Sequence, residues 1–248
     1  AGLPRAAVQI IRTPERSAVG DLLQMHEYID VIIPRGGKEL IQRISRESTI
    51  PVIKHYDGIC HIYLGCDADE AMAVGVTVNS KCQRVEVCNA LETLLIDQAC
   101  AARLLRPVVQ ALAGQGVACR GCDRCRDLIP ELEQATEVDW HTEYLAPILS
   151  IRIVDGLDAA VEHIQRYGSG HTDGIVTASL ALAERFTARV DSASVMVNAS
   201  TRLSGGGDYG LGAVVGISTD RLHARGPVGP NELTTTKWIA RGEGHLRA

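Results

Sequence analysis

Lys81-Cys82-Gln83-Arg84-Val85-Glu86-Val87-Cys88-Asn89-Ala90-Leu91-Glu92-Thr93-Leu94-Leu95-Ile96 passes from a polar, basic approach into an apolar run. The run reads as a buried strand, and Asp97 to Gly114, rich in Ala and Leu, reads as the helix that follows it. A strand feeding directly into a long helix is the unit of an α/β fold. At the junction stands Cys88, preceded by Lys81 and Arg84 and followed by Asn89. Positive charge nearby lowers a thiol's pKa, and the thiolate is the reactive form. Cys88 therefore has two readings, a nucleophile or a small buried hydrophobe.

The same alternation extends in both directions. Upstream, Ala7-Val8-Gln9-Ile10-Ile11 reads as a short strand and Ser17 to Met25 as a helix. Ile29-Asp30-Val31-Ile32-Ile33 is a β-branched run expected to be buried on both faces. It ends at Pro34-Arg35-Gly36-Gly37 and leads into a helix from Lys38 to Arg46, with Ile50-Pro51-Val52-Ile53 as the next strand. Arg35-Gly36-Gly37 thus falls at a strand-to-helix turn, where glycines let a phosphate approach the helix N–H groups or simply make a tight turn. Gly58 to Leu64 and Asp67 to Asn79 form a further strand and helix. His61 alternates with its strand's apolar residues and reads as structural.

Downstream, strands are expected at Ile148 to Val154, Asp173 to Thr177 and Ser194 to Asn198, with helices at Asp158 to Arg166 and Leu180 to Ala188. The glycine-rich loop from Asn198 to Gly212 follows a strand, and ligands of parallel sheets collect beyond the carboxyl ends. It reads as a substrate wall or as a flexible surface loop. Thr234-Thr235-Thr236-Lys237-Trp238-Ile239 is β-branched near the end of the chain and suits pairing with another subunit.

Bulk properties set bounds. The 248 residues suffice for one or two domains, and 46% hydrophobic with 22% charged residues is ordinary for a soluble α/β protein. A net charge of −5 argues against a general nucleic-acid or anionic-membrane binder. No apolar run approaches the roughly 18 residues of a membrane span, and no secretion signal opens the chain. The eight cysteines therefore read as reduced thiols in the cytoplasm. Cys119-Arg120-Gly121-Cys122-Asp123-Arg124-Cys125 invites zinc or iron–sulfur, but Ile129 stands where a ferredoxin run needs its fourth cysteine. Three surface cysteines on a loop are the preferred reading, with no metal.

Taken together, the motifs resemble the gamma-glutamyl phosphate reductases of the aldehyde dehydrogenase superfamily. The matching segments are Val31-Ile32-Ile33-Pro34-Arg35-Gly36-Gly37, Gln83-Arg84-x-x-x-Cys88-Asn89-x-x-Glu92-Thr93-Leu94-Leu95, Val197-Asn198-Ala199-Ser200-Thr201-Arg202, Tyr209-Gly210-Leu211-Gly212-Ala213, Leu222-His223-Ala224-Arg225-Gly226-Pro227 and Leu233-Thr234-Thr235-x-Lys237-Trp238. They follow the family's order along the whole chain. Val85 and Glu86 stand where many members have Pro and Ser.

The resemblance implies an aldehyde-dehydrogenase-like α/β fold. Residues 1–57 would be the C-terminal half of a Rossmann-type cofactor domain, 58–220 the catalytic domain, and 221–248 a return segment with an oligomerisation strand. The chain would be a C-terminal fragment, since the family carries a further N-terminal segment. Implied too is NADPH-dependent reduction of L-glutamyl 5-phosphate to L-glutamate 5-semialdehyde and phosphate, a step of L-proline biosynthesis, by a cytoplasmic homo-oligomer. By position Cys88 matches the nucleophile, with Asn89 beside it. Arg35, Gly36 and Gly37 match a cofactor phosphate turn. Glu143, in Glu143-Tyr144-Leu145-Ala146-Pro147, looks like the superfamily glutamate that holds the nicotinamide ribose. For the substrate the expected contacts are Arg84, Asn198, Ser200, Thr201 and Arg202, with Thr201 and Arg202 on the α-carboxylate.

Hydrolysis of a thioester needs a glutamate base, and Lys54-His55-Tyr56-Asp57-Gly58, where the superfamily places it, contains none. This favours hydride transfer over hydrolysis. The alternatives are another NAD(P)-dependent aldehyde dehydrogenase and a metal-binding module built on the cysteine cluster.

Overall fold

A computed structural model describes residues 2–247, so Ala1 and Ala248 of the expected first and last segments lie outside the described residues. The chain divides into two compact units, Ala1–Tyr56 and Asp57–Ala248.

The first unit holds helices α1 (Ser17–Leu22) and α2 (Lys38–Glu47). Ile41 and Ile44 are the buried positions of α2, three residues apart on one face. A small core joins Leu23, Ile44 and Val52, with Val19, Ile32 and Leu40 packed against it. The expected strand over Ile29–Ile33 reduces to one parallel bridge between Ile32 and Val52. The physical reason lies at both ends of the bridge. Pro34 has no N–H to continue the ladder, and the Thr49 N–H is already donated to the Leu23 carbonyl at 3.0 Å. The strand expected at Ala7–Ile11 is also absent: Val8 and Ile10 are 82% and 84% exposed, and Arg5–Ala7 is a 3₁₀ turn.

The second unit is built on a seven-stranded sheet. Its strands are β1 (Cys60–Leu64), β2 (Leu91–Asp97), β3 (Ala118–Gly121), β4 (Glu133–Gln134), β5 (Ile148–Val154), β6 (Thr172–Val176) and β7 (Ser194–Val197). The order is β4-β3-β5-β2-β1-β6-β7, and every pairing in it is parallel. Helices α3 (Glu70–Cys82), α4 (Gln98–Gly114), α5 (Asp123–Leu128), α6 (Glu137–Trp140), α7 (Gly156–Tyr167) and α8 (Leu180–Arg189) complete it.

The sheet is covered on both faces, which is why β1 and β2 are buried at every position. Side chains alternate between two cores with the period of a strand. Ile62, Leu64, Leu94 and Ile96 join Leu104, Leu105 and Val108 of α4 on one side. Tyr63, Leu95 and Ile175 join Val161, Ile164 and Phe186 of α7 and α8 on the other. Polar caps start the helices where the strands end. Asp69 accepts from Met72 N–H at 2.8 Å, Asp97 from Ala99 N–H at 2.9 Å, and Ser179 from Leu182 N–H at 3.2 Å.

Cys119–Cys125 is not the expected surface loop. Cys119 is buried in β3, and Cys125 is buried in α5 with Cys122 as the residue that caps it. After Gly212 come two short antiparallel strands, β8 (Gly216–Ser218) and β9 (Gly226–Val228). Thr234–Ile239 forms no strand among the described residues, and Trp238 in it is fully exposed. No helix among the described residues is long and apolar enough to cross a membrane.

Candidate active site

Cys88 stands in a half-buried turn between α3 and β2, at the amino edge of the sheet. Two features hold that turn against β1. The Cys60 thiol donates to the Cys88 carbonyl at 3.3 Å. Gly58 lies so close that a Cβ there would stand 1.9 Å from the Cys88 carbonyl oxygen. Only glycine fits this approach of backbone to backbone.

Asn89 is buried, and its side chain works in both directions. Its Nδ2 donates to the Ser204 carbonyl at 3.2 Å, and its Oδ1 accepts from the Arg202 guanidinium. Arg202 also donates through Nε to Gln83 Oε1 at 2.8 Å, so one guanidinium clasps both ends of the stretch from Gln83 to Asn89. Burial lowers the pKa of Arg202 and the nearby Arg84 charge adds to this, while the Cys88 thiolate and Asp208 act to raise it. The thiol, Arg202 and Arg84 therefore share one electrostatic neighbourhood.

Of the other residues expected around the substrate, Ser200 and Thr201 anchor this turn to the end of α3. Ser80 Oγ donates to Ser200 Oγ at 3.1 Å and accepts from Thr201 N–H at 3.1 Å, and Ser200 Oγ accepts from Arg202 N–H at 3.2 Å. Asn198 stands elsewhere. It adopts φ 53° after β7 and pairs both amide atoms with the Thr177 backbone, each at 2.9 Å, at the carboxyl edge of the sheet. The loop then doubles back, and Ser204 reaches Thr172 at the start of β6, where Thr172 Oγ1 donates to Ser204 Oγ at 2.9 Å. The expected wall beyond the carboxyl ends thus delivers Arg202 to the opposite edge. Asn198 is set apart from Cys88 by roughly the 16 Å length of a five-residue strand.

Lys81 does not serve Cys88 as the sequence suggested. It is fully buried and donates to Glu92 Oε2 at 2.7 Å. Burial lifts the Glu92 carboxyl to about 7, against the pull of Lys81 and of the Leu145 N–H that donates to its Oε1. Cys82 closes α3, and burial raises its pKa despite neighbouring Lys81. Glu143 is brought near the thiol's turn: it accepts from Gly58 N–H at 2.8 Å, and Gly58 in turn abuts Cys88. Tyr144 donates to Asp139 Oδ1 at 2.7 Å and fixes the segment that carries Glu143.

A residue absent from the sequence reading also belongs here. A ring nitrogen of His171 lies within 4.8 Å of Cys88 Sγ. His171 is fully buried, and its Nδ1 sits 2.8 Å from Thr172 Oγ1. The only local signal was a histidine one residue before a strand, and parallel pairing across the sheet makes it a neighbour of Cys88.

In the first unit, Arg35, Gly36 and Gly37 precede α2 as expected. Gly36 has φ 154°, Gly37 caps the helix, and nothing lies within 4 Å of a Cβ placed on Gly37. Beside them a cavity of about 460 Å³ is lined by Arg16, Val19, Gly37, Glu39, Leu40 and Arg43. Open backbone at a helix start, with two arginines, fits a phosphate-bearing cofactor. Glu39 in the first turn works against it.

No family model matches the chain. Among solved structures, gamma-glutamyl phosphate reductase from Thermotoga maritima aligns with 100% of this chain and 60% of its own, at 43% identity and a TM-score of 0.97. The protein of that name from Saccharomyces cerevisiae aligns with 82% of this chain and 50% of its own, at 34% identity and a TM-score of 0.47. An acetylating aldehyde dehydrogenase from Geobacillus thermoglucosidasius aligns with 100% of this chain and 64% of its own, at 21% identity and a TM-score of 0.73. The resemblance read from the motifs is borne out by the Thermotoga protein, and the fold is aldehyde-dehydrogenase-like α/β. The chain spans 60% of the length of that relative.

Proposed function

We propose that this chain carries the catalytic thiol of a gamma-glutamyl phosphate reductase, an oxidoreductase of L-proline biosynthesis. The reaction is NADPH-dependent reduction of L-glutamyl 5-phosphate to L-glutamate 5-semialdehyde and phosphate. The observation that supports it most directly is the clasp of Arg202 on Asn89, which holds a cation beside Cys88.

His171 takes the Cys88 proton on its imidazole ring, and the thiolate attacks the acyl-phosphate carbonyl carbon. Backbone N–H groups at Cys88 and Asn89 receive the developing oxyanion, where a single donor is typically worth roughly 3–4 kcal/mol. The carbon–oxygen bond to phosphate breaks and a thioester forms on Cys88. Arg84 and Arg202 hold the two anionic ends of the substrate, its phosphate and its α-carboxylate. Ser200 and Thr201 position Arg202, and Asn198 positions the loop. NADPH, when bound, supplies a hydride to the thioester carbon. Loss of the thiolate from the resulting thiohemiacetal frees the aldehyde.

Arg35, Gly36 and Gly37 would hold the cofactor's phosphates and Glu143 its nicotinamide ribose. The stretch from Lys54 to Gly58, where the superfamily carries its water-activating glutamate, offers no glutamate. This supports reduction over hydrolysis. On the same reading the protein works in the cytoplasm as a homo-oligomer, joined through the segment that exposes Trp238.

The test places Cys88→Ala and Cys82→Ala in the protein that carries this chain and follows phosphate-dependent NADP⁺ reduction by glutamate 5-semialdehyde. Cys88→Ala is expected to abolish turnover and Cys82→Ala to retain it; the opposite pattern overturns the assignment. NADP⁺ reduction that proceeds without phosphate would instead identify a hydrolytic aldehyde dehydrogenase.

A further inference from the structure

The cysteine run that the proposed reaction leaves unused has its own geometry. Cys122 and Cys125 lie just beyond the carboxyl end of β3, whereas Cys88 precedes β2 at the amino edge. Their sulfurs are 3.6 Å apart, Cys122 Sγ donating to Cys125 Sγ. None of the eight cysteines is in a disulfide. A disulfide needs about 2.05 Å between sulfurs, so a small side-chain rotation closes the gap. The two thiols differ in access. Cys122 is half-buried and lines a cavity of about 530 Å³, whereas Cys125 is fully buried and does not reach it. The Ile153 N–H points at Cys122 Sγ at 3.5 Å, and Cys125 Sγ reaches the Ile151 carbonyl at 3.5 Å. Among the described residues, Cys119, Cys122 and Cys125 do not bring three ligand atoms close enough to share a metal ion.

We infer that Cys122 and Cys125 are a redox-active dithiol pair that exchanges with a low-molecular-weight disulfide admitted through this cavity. The lining suits a zwitterionic peptide disulfide. Arg124, Arg152 and Arg166 face Glu137, Asp155 and Glu162, and Trp140 and Tyr167 offer apolar walls. The Cys122 thiolate attacks one sulfur of the small disulfide, making a mixed disulfide and releasing one thiol. The deprotonated Cys125 then attacks the Cys122 sulfur, closing the intramolecular bond and releasing the second thiol. Two electrons pass from the protein to the small disulfide, and the two protons end on the released thiols. The contact with Cys125, with help from the Ile153 N–H, lowers Cys122 to about 6 against the effect of burial, and the same contact together with burial raises Cys125. That difference selects Cys122 as the attacking sulfur.

The test incubates the protein with oxidised glutathione, blocks remaining thiols by alkylation and maps peptides by mass. Wild type is expected to yield a Cys122–Cys125 disulfide, two hydrogens lighter and reversed by dithiothreitol. Cys125→Ser is expected to trap one glutathionyl group on Cys122. At pH 6 that adduct should still form, and faster than one on Cys119, whose thiol burial raises. If Cys125→Ser does not fold, Cys122→Ser serves, and Cys125 should then stay unmodified. Two free thiols at Cys122 and Cys125 while Cys66 is glutathionylated would overturn the proposal. So would an adduct on Cys125 in Cys122→Ser, or zinc retained by the pair.

Discussion

The Arg202 guanidinium donates to Asn89 Oδ1, joining two residues 113 positions apart and fixing the turn that carries Cys88. Since Arg202 also holds Gln83, its removal is expected both to loosen the turn and to withdraw a cation from beside Cys88. Arg202→Gln should lower kcat/KM for the glutamyl substrate by about 100-fold, roughly 2.7 kcal/mol of transition-state binding. Arg202→Lys should recover only part, since an ammonium restores charge but not the two-pronged donor. Steady-state kinetics of both variants decide this; a full rescue by lysine would show that charge alone matters.

Gly58 is the second clamp on that turn. Its missing Cβ would overlap the Cys88 carbonyl oxygen at 1.9 Å and the Cys88 carbonyl carbon at 2.5 Å, atoms that cannot swing aside. Gly58→Ala should cost about 1–3 kcal/mol in overpacking. It should also slow alkylation of Cys88 or alter its pH profile, because the thiol's own backbone must shift. Urea unfolding and iodoacetamide kinetics measure the two effects separately. Unchanged values in both would show that the backbone of the Cys88 turn yields to a methyl group without cost.

What the sequence discloses follows from how local each signal is. β1, β2 and β5 were legible because apolar runs buried on both faces leave few other readings. The cysteine run was misread because β3 and α5 are only four and six residues long. Their support comes from β5, about thirty residues away, through the Ile151 carbonyl and Ile153 N–H. Ile29–Ile33 was overread, since β-branched residues fit a strand but Pro34 cannot extend one. Lys81 could have been recognised as buried: Ala73, Thr77, Ser80 and Lys81 form one inward stripe of α3. His171 could not, because only pairing across the sheet brings it to Cys88.

The Lys81–Glu92 pair sets up a stability test. Both side chains are fully buried, so either charge alone would be stranded in the interior. Lys81→Met should therefore destabilise the fold by about 3–5 kcal/mol, while Lys81→Met with Glu92→Leu should recover most of that loss. A double-mutant cycle by urea denaturation gives the coupling. Additive losses would mean that the two side chains are held by their surroundings and not by one another.

If His171 accepts the Cys88 proton, its loss must show in the pH dependence of the thiol. His171→Gln keeps an amide able to bond Thr172 but cannot take a proton. It should slow alkylation of Cys88 roughly tenfold near pH 7, with the rates converging at high pH where the thiol ionises unaided. Parallel pH profiles, offset by a constant factor, would assign His171 a purely structural role.

Asp139 supports the site from behind and should govern acid stability. Its carboxylate accepts from Thr136 N–H and Oγ1 at 2.7 Å each, from Tyr144 at 2.7 Å and from Arg120 at 2.6 Å. Burial acts to raise its pKa, but these four donors outweigh it and lower the group to about 2. An aspartate depressed in the fold contributes stability that is present above its unfolded value near 3.9 and is lost as pH falls through its folded value. Asp139→Asn should thus cost about 1–3 kcal/mol at pH 5 to 7, the cost of leaving strong donors poorly matched. The gap from wild type should narrow as pH drops from about 4 towards 2, because wild type then loses the same charge. Unfolding midpoints taken across that range measure it. Tyr144 gives a second readout: freed from Asp139, it should loosen the segment that carries Glu143, so the variant's loss of activity should exceed its loss of stability. A gap constant down to pH 2 would place the acid-sensitive charge elsewhere in the fold.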